Sequence, residues 1–257
     1  MTHVTVCGHF GEWIQGRLGP SGPVALITLA CSAMRVTAPS EDALPFTADQ
    51  LKRFAADLEL DSVTGATRNF ALGIGAGGST ATLVAAARAA GYDGTPERLA
   101  KSCIAIEGAT DPLMFDAPDQ HLWASRSGKV IRPMPAPPRA AILGGLWGAP
   151  QSTDARDDAF DDVTDLAEAW ADATTARDLP RVAALASESA RRCTARRGPP
   201  DPMADLAHDL GALGMVRAHT GSARGLIFAP GTIPPHGPAA LQEAGLKTVL
   251  SFETGRA

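Results

Sequence analysis

The chain has 257 residues, 45% of them hydrophobic and 20% charged. That is the composition of a folded globular protein, long enough for one large domain or two small ones, and not of a disordered chain. A formal net charge of −5 excludes a general nucleic-acid-binding surface, and the absence of any apolar run of bilayer length argues against a membrane span.

In chain order, Val4–Cys7 reads as a short strand running into a glycine-rich functional loop, Gly8-His9-Phe10-Gly11-Glu12-Trp13-Ile14-Gln15-Gly16-Arg17. Pro23–Val36 is expected to form one bent strand or a hairpin pair. The spacing of Leu51, Phe54, Ala55 and Leu58 predicts a helix over about Thr47–Leu58. Asn69–Ile74 is expected to be extended and to lead into a second glycine loop. A small-apolar helix, Ala81–Ala90, follows. Thr95-Pro96-Glu97 opens another helix with a cap and a first-turn proline. It carries Leu99, Cys103 and Ile104 inward and ends near Glu107–Pro112. Trp123–Pro133 reads as short strands around a Gly128-Lys129 turn. The stiff run Pro133–Pro138 is the best candidate for a domain boundary.

Beyond it, Arg139–Trp147 reads as a strand, Asp157–Arg177 and Leu179–Arg197 as amphipathic helices, and Pro202–Leu213 as a third helix. Met215–His219, Gly225–Ala229 and Lys247–Phe252 read as strands, with a short helix at Pro238–Ala244. Strands mixed with helices in this way make an α+β chain. Cys7, Cys31, Cys103 and Cys193 form no CxxC pair and no zinc spacing, so buried free thiols in a reducing cytoplasm are expected. Met1-Thr2-His3-Val4 has no signal-peptide character, which also points to the cytoplasm.

The second glycine loop is the organising feature. Gly73-Ile74-Gly75-Ala76-Gly77-Gly78-Ser79-Thr80 leads directly into the Ala-rich helix. Glycines there let a ligand approach the backbone, and the free N–H groups and positive end of the helix then favour a phosphate. Ser79 or Thr80 can cap the helix, bond a phosphate or offer an oxygen to Mg²⁺. The bland alternative is a tight turn into a buried helix. The loop lacks the Gly-Lys-Ser/Thr of a Walker A motif, and its glycine spacing does not fit a dinucleotide fingerprint. The His-Arg-Asp and Asp-Phe-Gly signatures of protein kinases are also missing.

Three glycine-bearing segments in this order resemble the GHMP kinases, small-molecule kinases that include homoserine, mevalonate and galactose kinases. The loop Gly73–Ala81 is similar to their second motif, although Gly77-Gly78 stand where a serine is commoner. Within that superfamily Gly11-Glu12-Trp13-Ile14-Gln15-Gly16 resembles the Gly-Glu-Leu-Ile-Gln-Gly signature of L-threonine kinases, the enzymes linked to cobalamin synthesis and propanediol utilisation. Glu107-Gly108-Ala109-Thr110-Asp111 is similar to that branch's Glu-Pro-Thr-Asp, with one extra residue. Ala218-His219-Thr220-Gly221-Ser222 with Gly225-Leu226 is similar to its Ala-His-Ser-Gly-Thr segment.

The resemblance implies a ribosomal-protein-S5-domain-2-like N-terminal domain over 1–135, a ferredoxin-like domain over 136–257, and a cleft between them. It implies ATP and Mg²⁺, an L-threonine acceptor, and compatibility with a homodimer. Gly73, Gly75, Ala76, Gly77, Gly78, Ser79 and Thr80 would cradle the triphosphate, with Ser79 and Glu107 as Mg²⁺ ligands. Asp111 would orient the threonine hydroxyl or accept its proton, or would instead pair with the substrate ammonium. Glu12 and Gln15 would take the substrate's ammonium and carboxylate respectively, with Thr220, Gly221 and Ser222 bordering it. Arg224 is a further candidate for an anion, because a guanidinium binds two oxygens at once. Another GHMP kinase acting on homoserine or a similar alcohol, a non-catalytic GHMP-fold binding protein, and a glycine-loop hydrolase are the alternatives.

Overall fold

The computed structural model describes residues 2–151, 154–157 and 159–255. Met1 and Asp158, which figure in the expected N-terminus and in the expected helix from Asp157, lie outside the described residues. Among those residues the chain forms nine strands and seven α-helices. The strands are β1 (Val4–Arg17), β2 (Val24–Ser40), β3 (Gly65–Arg68), β4 (His121–Ala124), β5 (Lys129–Pro133), β6 (Ala141–Leu146), β7 (Gly214–Arg217), β8 (Ala223–Phe228) and β9 (Lys247–Glu253). The helices are α1 (Ala48–Asp57), α2 (Gly78–Ala89), α3 (Pro96–Glu107), α4 (Thr164–Thr175), α5 (Leu179–Arg197), α6 (Met203–Asp209) and α7 (Gly237–Glu243).

All nine strands share one sheet, in the order β5-β4-β2-β1-β7-β8-β6-β9 with β3 beside β2. Every ladder is antiparallel, so the chain is α+β. The strands before and after the proline run fall on opposite sides of the β1–β7 joint. That joint rests on one register pair, Glu12 opposite Arg217.

The expected loop at Gly8–Arg17 is instead the body of β1. Phe10, Trp13 and Ile14 are fully buried there. The glycines mark close approach rather than turning: a Cβ on Gly8 would stand 2.6 Å from the Ala76 carbonyl, and one on Gly16 2.5 Å from Val163. Pro23–Val36 resolves into the single strand β2, whose pairing with β1 shifts register three times. The short edge strand β3 was not expected. Its four residues, Gly65–Arg68, are too few to show an alternation. The helix expected from Asp157 begins only at Thr164, and the one expected over Pro202–Leu213 ends at Asp209.

α2 packs on β1, β2 and β3 and against α3. It is buried on nearly all sides, which explains its alanine content: small side chains let it lie close to the sheet. α5 covers β1 and β7, with α4 against it. Trp13 of β1 meets Trp170 of α4 at 5.6 Å between rings. α6 and α7 close the far end over β6–β9. Cys31, Cys103 and Cys193 are buried free thiols, but Cys7 is exposed, because it lies on the uncovered side of β1. No helix among the described residues is long and apolar enough to cross a membrane.

Candidate active site

A cleft of about 560 Å³ is walled by β1, the loop before α2, the end of α3 and the segment after β6. Its floor is the glycine loop, clamped from both sides by backbone. His9 N–H donates to the Ala76 carbonyl (3.1 Å) and Gly11 N–H to that of Gly75 (3.2 Å). Ser222 and Ala223 N–H both donate to the Ile74 carbonyl, at 3.1 and 2.9 Å. Gly75 has φ +78°, and a Cβ on it would lie 2.2 Å from the Ala218 Cβ. The three segments singled out in the sequence therefore converge on one loop.

α2 starts at Gly78, with Gly77 as its left-handed N-cap (φ 63°), and no side chain caps it. The expectation that Ser79 or Thr80 caps a helix starting at Ala81 is thus corrected: both belong to the first helical turn. The N–H groups of that turn are free to meet an anion, with the helix dipole behind them. Gly77 also makes room for the neighbouring histidine, since a Cβ there would stand 2.6 Å from His9 Cδ2.

α3 delivers the first carboxylate. It ends at Glu107 with Gly108 as C-cap. The chain then turns into Thr110, which is held by its N–H on the Ser125 carbonyl (2.9 Å) and by Trp123 Nε1 donating to its carbonyl (2.7 Å). Thr80 Oγ1 donates to Glu107 Oε2 at 3.0 Å and lies 3.2 Å from Thr110 Oγ1. Burial pushes the Glu107 carboxyl up to about 8, against the hydrogen bonds from Ser79 and Thr80 and with the Asp111 charge adding to the rise. A desolvated carboxylate beside two hydroxyls at a helix N-terminus is an oxygen donor set suited to a hard divalent cation, so the expected Mg²⁺ fits these residues.

A second cluster lies beside it. His9 Nε2 is 3.2 Å from Asp111 Oδ2, and His9 Nδ1 is 3.8 Å from Glu12 Oε1. These are charge contacts: neither ring nitrogen has a well-aligned hydrogen bond among the described residues. Burial works to lower the His9 pKa, but the flanking Asp111 and Glu12 carboxylates outweigh it, and the net direction is up. Glu12 is raised to about 7. Burial is the main cause, opposed by His9, reinforced by Asp111, and opposed again by the His219 N–H and Arg217. That N–H donates to Glu12 Oε2 at 3.1 Å. The His219 ring is driven down to about 2 by burial and by the Arg197 and Arg217 charges, so it is neutral. It stacks on Phe160 at 4.0 Å.

Glu12, Gln15, Gly73, Gly75, Ala76, Gly77, Gly78, Ser79, Thr80, Glu107, Asp111 and Thr220 all line the cleft. The Gln15 side-chain oxygen is buried without a partner among the described residues. Gly221 and Ser222 do not line it. They stand behind the glycine loop, where Gly221 packs against Ile74 and Gly75. Arg224 is not free for an anion, because its Nε is paired with Asp201 Oδ2 at 2.7 Å in the protein interior. Sequence reasoning left His9 without a firm role and did not single out Thr110, Arg126 or Phe160. His9 carried a signal in its place three residues before Glu12, and Thr110 in its place within the Glu107–Asp111 segment; Arg126 and Phe160 come to the cleft through tertiary packing.

No family model matches the sequence, and no curated protein matches it. Solved structures do. The chain superposes on mevalonate kinase from methicillin-resistant Staphylococcus aureus with a TM-score of 0.62 at 15% identity, covering 97% of each chain. The chain has the GHMP kinase fold. Phosphomevalonate kinase from Streptococcus pneumoniae matches at TM-score 0.62 and 11% identity, over 98% of both chains. Homoserine kinase from Cytophaga hutchinsonii matches at TM-score 0.55 and 15% identity, over 98% of this chain and 94% of that one. All three are named as small-molecule kinases.

Proposed function

We propose that this chain is an ATP-dependent GHMP kinase that phosphorylates the side-chain hydroxyl of L-threonine, giving O-phospho-L-threonine for the aminopropanol arm of cobalamin. In this reading residues 1–135 and 136–257 are its two domains and the cleft between them is the active site of a cytoplasmic enzyme. One observation carries the proposal: an uncapped helix N-terminus with Glu107 bonded to its first turn lies next to the His9–Asp111 pair. Phosphoryl transfer needs an anion cradle and a positioned acceptor, and little else from the protein.

The first-turn N–H groups of α2 and the loop Gly73–Thr80 hold the triphosphate. Ser79 and Glu107 hold Mg²⁺, which when bound supplies positive charge against the phosphate oxygens. Asp111 accepts the proton of the acceptor hydroxyl as its oxygen bonds to the γ-phosphorus and the bond to the ADP oxygen breaks; the proton then leaves to solvent. His9 keeps the Asp111 carboxylate facing the cleft.

The acceptor end favours an amino acid. Glu12 is a buried carboxylate with Asp111 close by, and a substrate ammonium would offset both charges. Gln15 and Thr220 border the same end. The Gly11–Gly16 signature favours L-threonine over homoserine within that class.

The test is ADP release from Mg²⁺-ATP with L-threonine, L-serine, L-homoserine, mevalonate or no acceptor. Release that depends on L-threonine supports the proposal. Some turnover of L-serine is compatible with it, since one methyl group discriminates by only about 1–3 kcal/mol. Preference for another alcohol moves the substrate and keeps the kinase. Release independent of any acceptor, or ATP binding without release, overturns it.

A further inference from the structure

Arg126 lies on the turn between β4 and β5, on the wall that also carries Thr110 and Asp111. Of the described residues that line the cleft, it is the one with a guanidinium or ammonium group. Its Nη2 donates to the backbone carbonyls of Asp154 (3.1 Å) and Asp157 (3.4 Å). Its Nε and Nη1 are shut off from solvent and have no hydrogen-bond partner among the described residues. A buried donor left unmade is costly, so a guanidinium in this state is set for an anion.

Two anions are candidates: a phosphate of the nucleotide or an anionic group of the acceptor. The phosphates already have the α2 N-terminus. The Arg126 guanidinium lies in the field of Asp157 and Asp154 and, after them, of Asp111, and its charge reaches His219, the residue whose N–H holds Glu12. Of these, Asp111 and His219 belong to the acceptor end. With the carboxylates of Glu12, Glu107 and Asp111 among the described residues on the cleft walls, an arginine there completes the charge pattern of a zwitterion.

We infer that Arg126 binds the carboxylate of the acceptor, turning its unpartnered nitrogens onto the carboxylate oxygens, while Glu12 faces the ammonium. Gln15, which the sequence suggested for the carboxylate, is a neutral amide and supplies no charge. The inference rests on the amino-acid reading of the site. It implies that the enzyme selects acceptors bearing both charges, and that an esterified acceptor is a poor substrate.

The experiment compares L-threonine with its methyl ester at about pH 6, below the lowered pKa of an α-amino ester, so that the ester keeps the ammonium and hydroxyl and loses only the anionic charge. Wild type is expected to favour the free acid in kcat/KM by about 10- to 100-fold, the size of a charge-assisted contact. Arg126→Met is expected to lose that preference, through a higher KM for L-threonine with little change for the ester. Arg126→Lys, which keeps the charge and relieves any folding defect of the methionine variant, restores part of it. An equal loss on both acceptors, or an unchanged preference in Arg126→Met, overturns the inference, because a phosphate contact or a purely structural role acts on both alike.

If another hydroxy acid proves to be the acceptor, the L-threonine reading fails separately, and the same comparison is run on that acid and its ester. If nothing turns over, thermal-shift binding of L-threonine against its ester, in wild type and Arg126→Met, decides the matter. Absence of a wild-type preference there also overturns it.

Discussion

Under the proposed function, Glu12 gives the kinetics a pH dependence that can be worked out in advance. Burial, against the opposing His9 contact, holds its carboxyl at about 7. At pH 6 about one molecule in ten carries the ionised form, and at pH 8 about nine in ten do. A substrate ammonium binds only the ionised form, and the ammonium of a free amino acid stays charged over this range. The KM for L-threonine is therefore expected to fall about tenfold from pH 6 to pH 8, while the KM for ATP changes little. Initial rates over that range, at saturating ATP and Mg²⁺, measure it. Glu12→Gln should show a higher KM with no such slope. A flat KM in wild type, or the same slope in Glu12→Gln, would refute the assignment of Glu12 to the ammonium.

The same group leaves a mark on stability. Its pKa is higher folded than unfolded, about 7 against 4.5, so the folded state binds the proton more tightly. Its contribution is fully present below pH 4.5 and is lost as pH rises to 7, by about 3 kcal/mol at about 1.36 kcal/mol per pKa unit. His9 is also raised, so its contribution is present below 6.5 and lost as pH rises through its folded value. Both act in one direction. The ligand-free protein should melt at a lower temperature at pH 8 than at pH 6, and bound L-threonine should narrow the difference.

Other perturbations separate the parts of the site. Gly75→Ala forces a Cβ to within 2.2 Å of Ala218 at φ +78°. It should cost about 2–6 kcal/mol in urea unfolding and raise the KM for ATP. Glu107→Gln keeps an acceptor for the Thr80 hydroxyl; kcat should fall about 10²- to 10³-fold with no loss of thermal stability. Asp201→Ala strands the buried Arg224 guanidinium and should destabilise by about 3–5 kcal/mol, with kcat/KM unchanged at temperatures where the protein stays folded.

Local signals in the sequence carried much of this. The loop Gly73–Thr80, the helices α2 and α3, the capping threonine of α3 and the position of Glu107 at its end were all legible, because each depends on residues close in sequence. β1 was misread because its glycines look like turn residues; they serve close packing against Ala76 and Val163, which only the folded chain reveals. Arg126 gave no sign, since a single arginine in a Ser-Arg-Ser-Gly turn is ordinary. Arg224 looked free for the converse reason: its partner Asp201 lies 23 residues away and meets it only on folding.

The most direct test is to identify the product formed from an equimolar mixture of L-threonine, L-serine, L-homoserine and mevalonate with Mg²⁺-ATP, by phosphorus NMR and mass spectrometry. O-phospho-L-threonine should dominate, and Asp111→Asn should abolish its formation while still binding ATP. A dominant phosphorylated product other than O-phospho-L-threonine, or free phosphate alone, would contradict the proposed function.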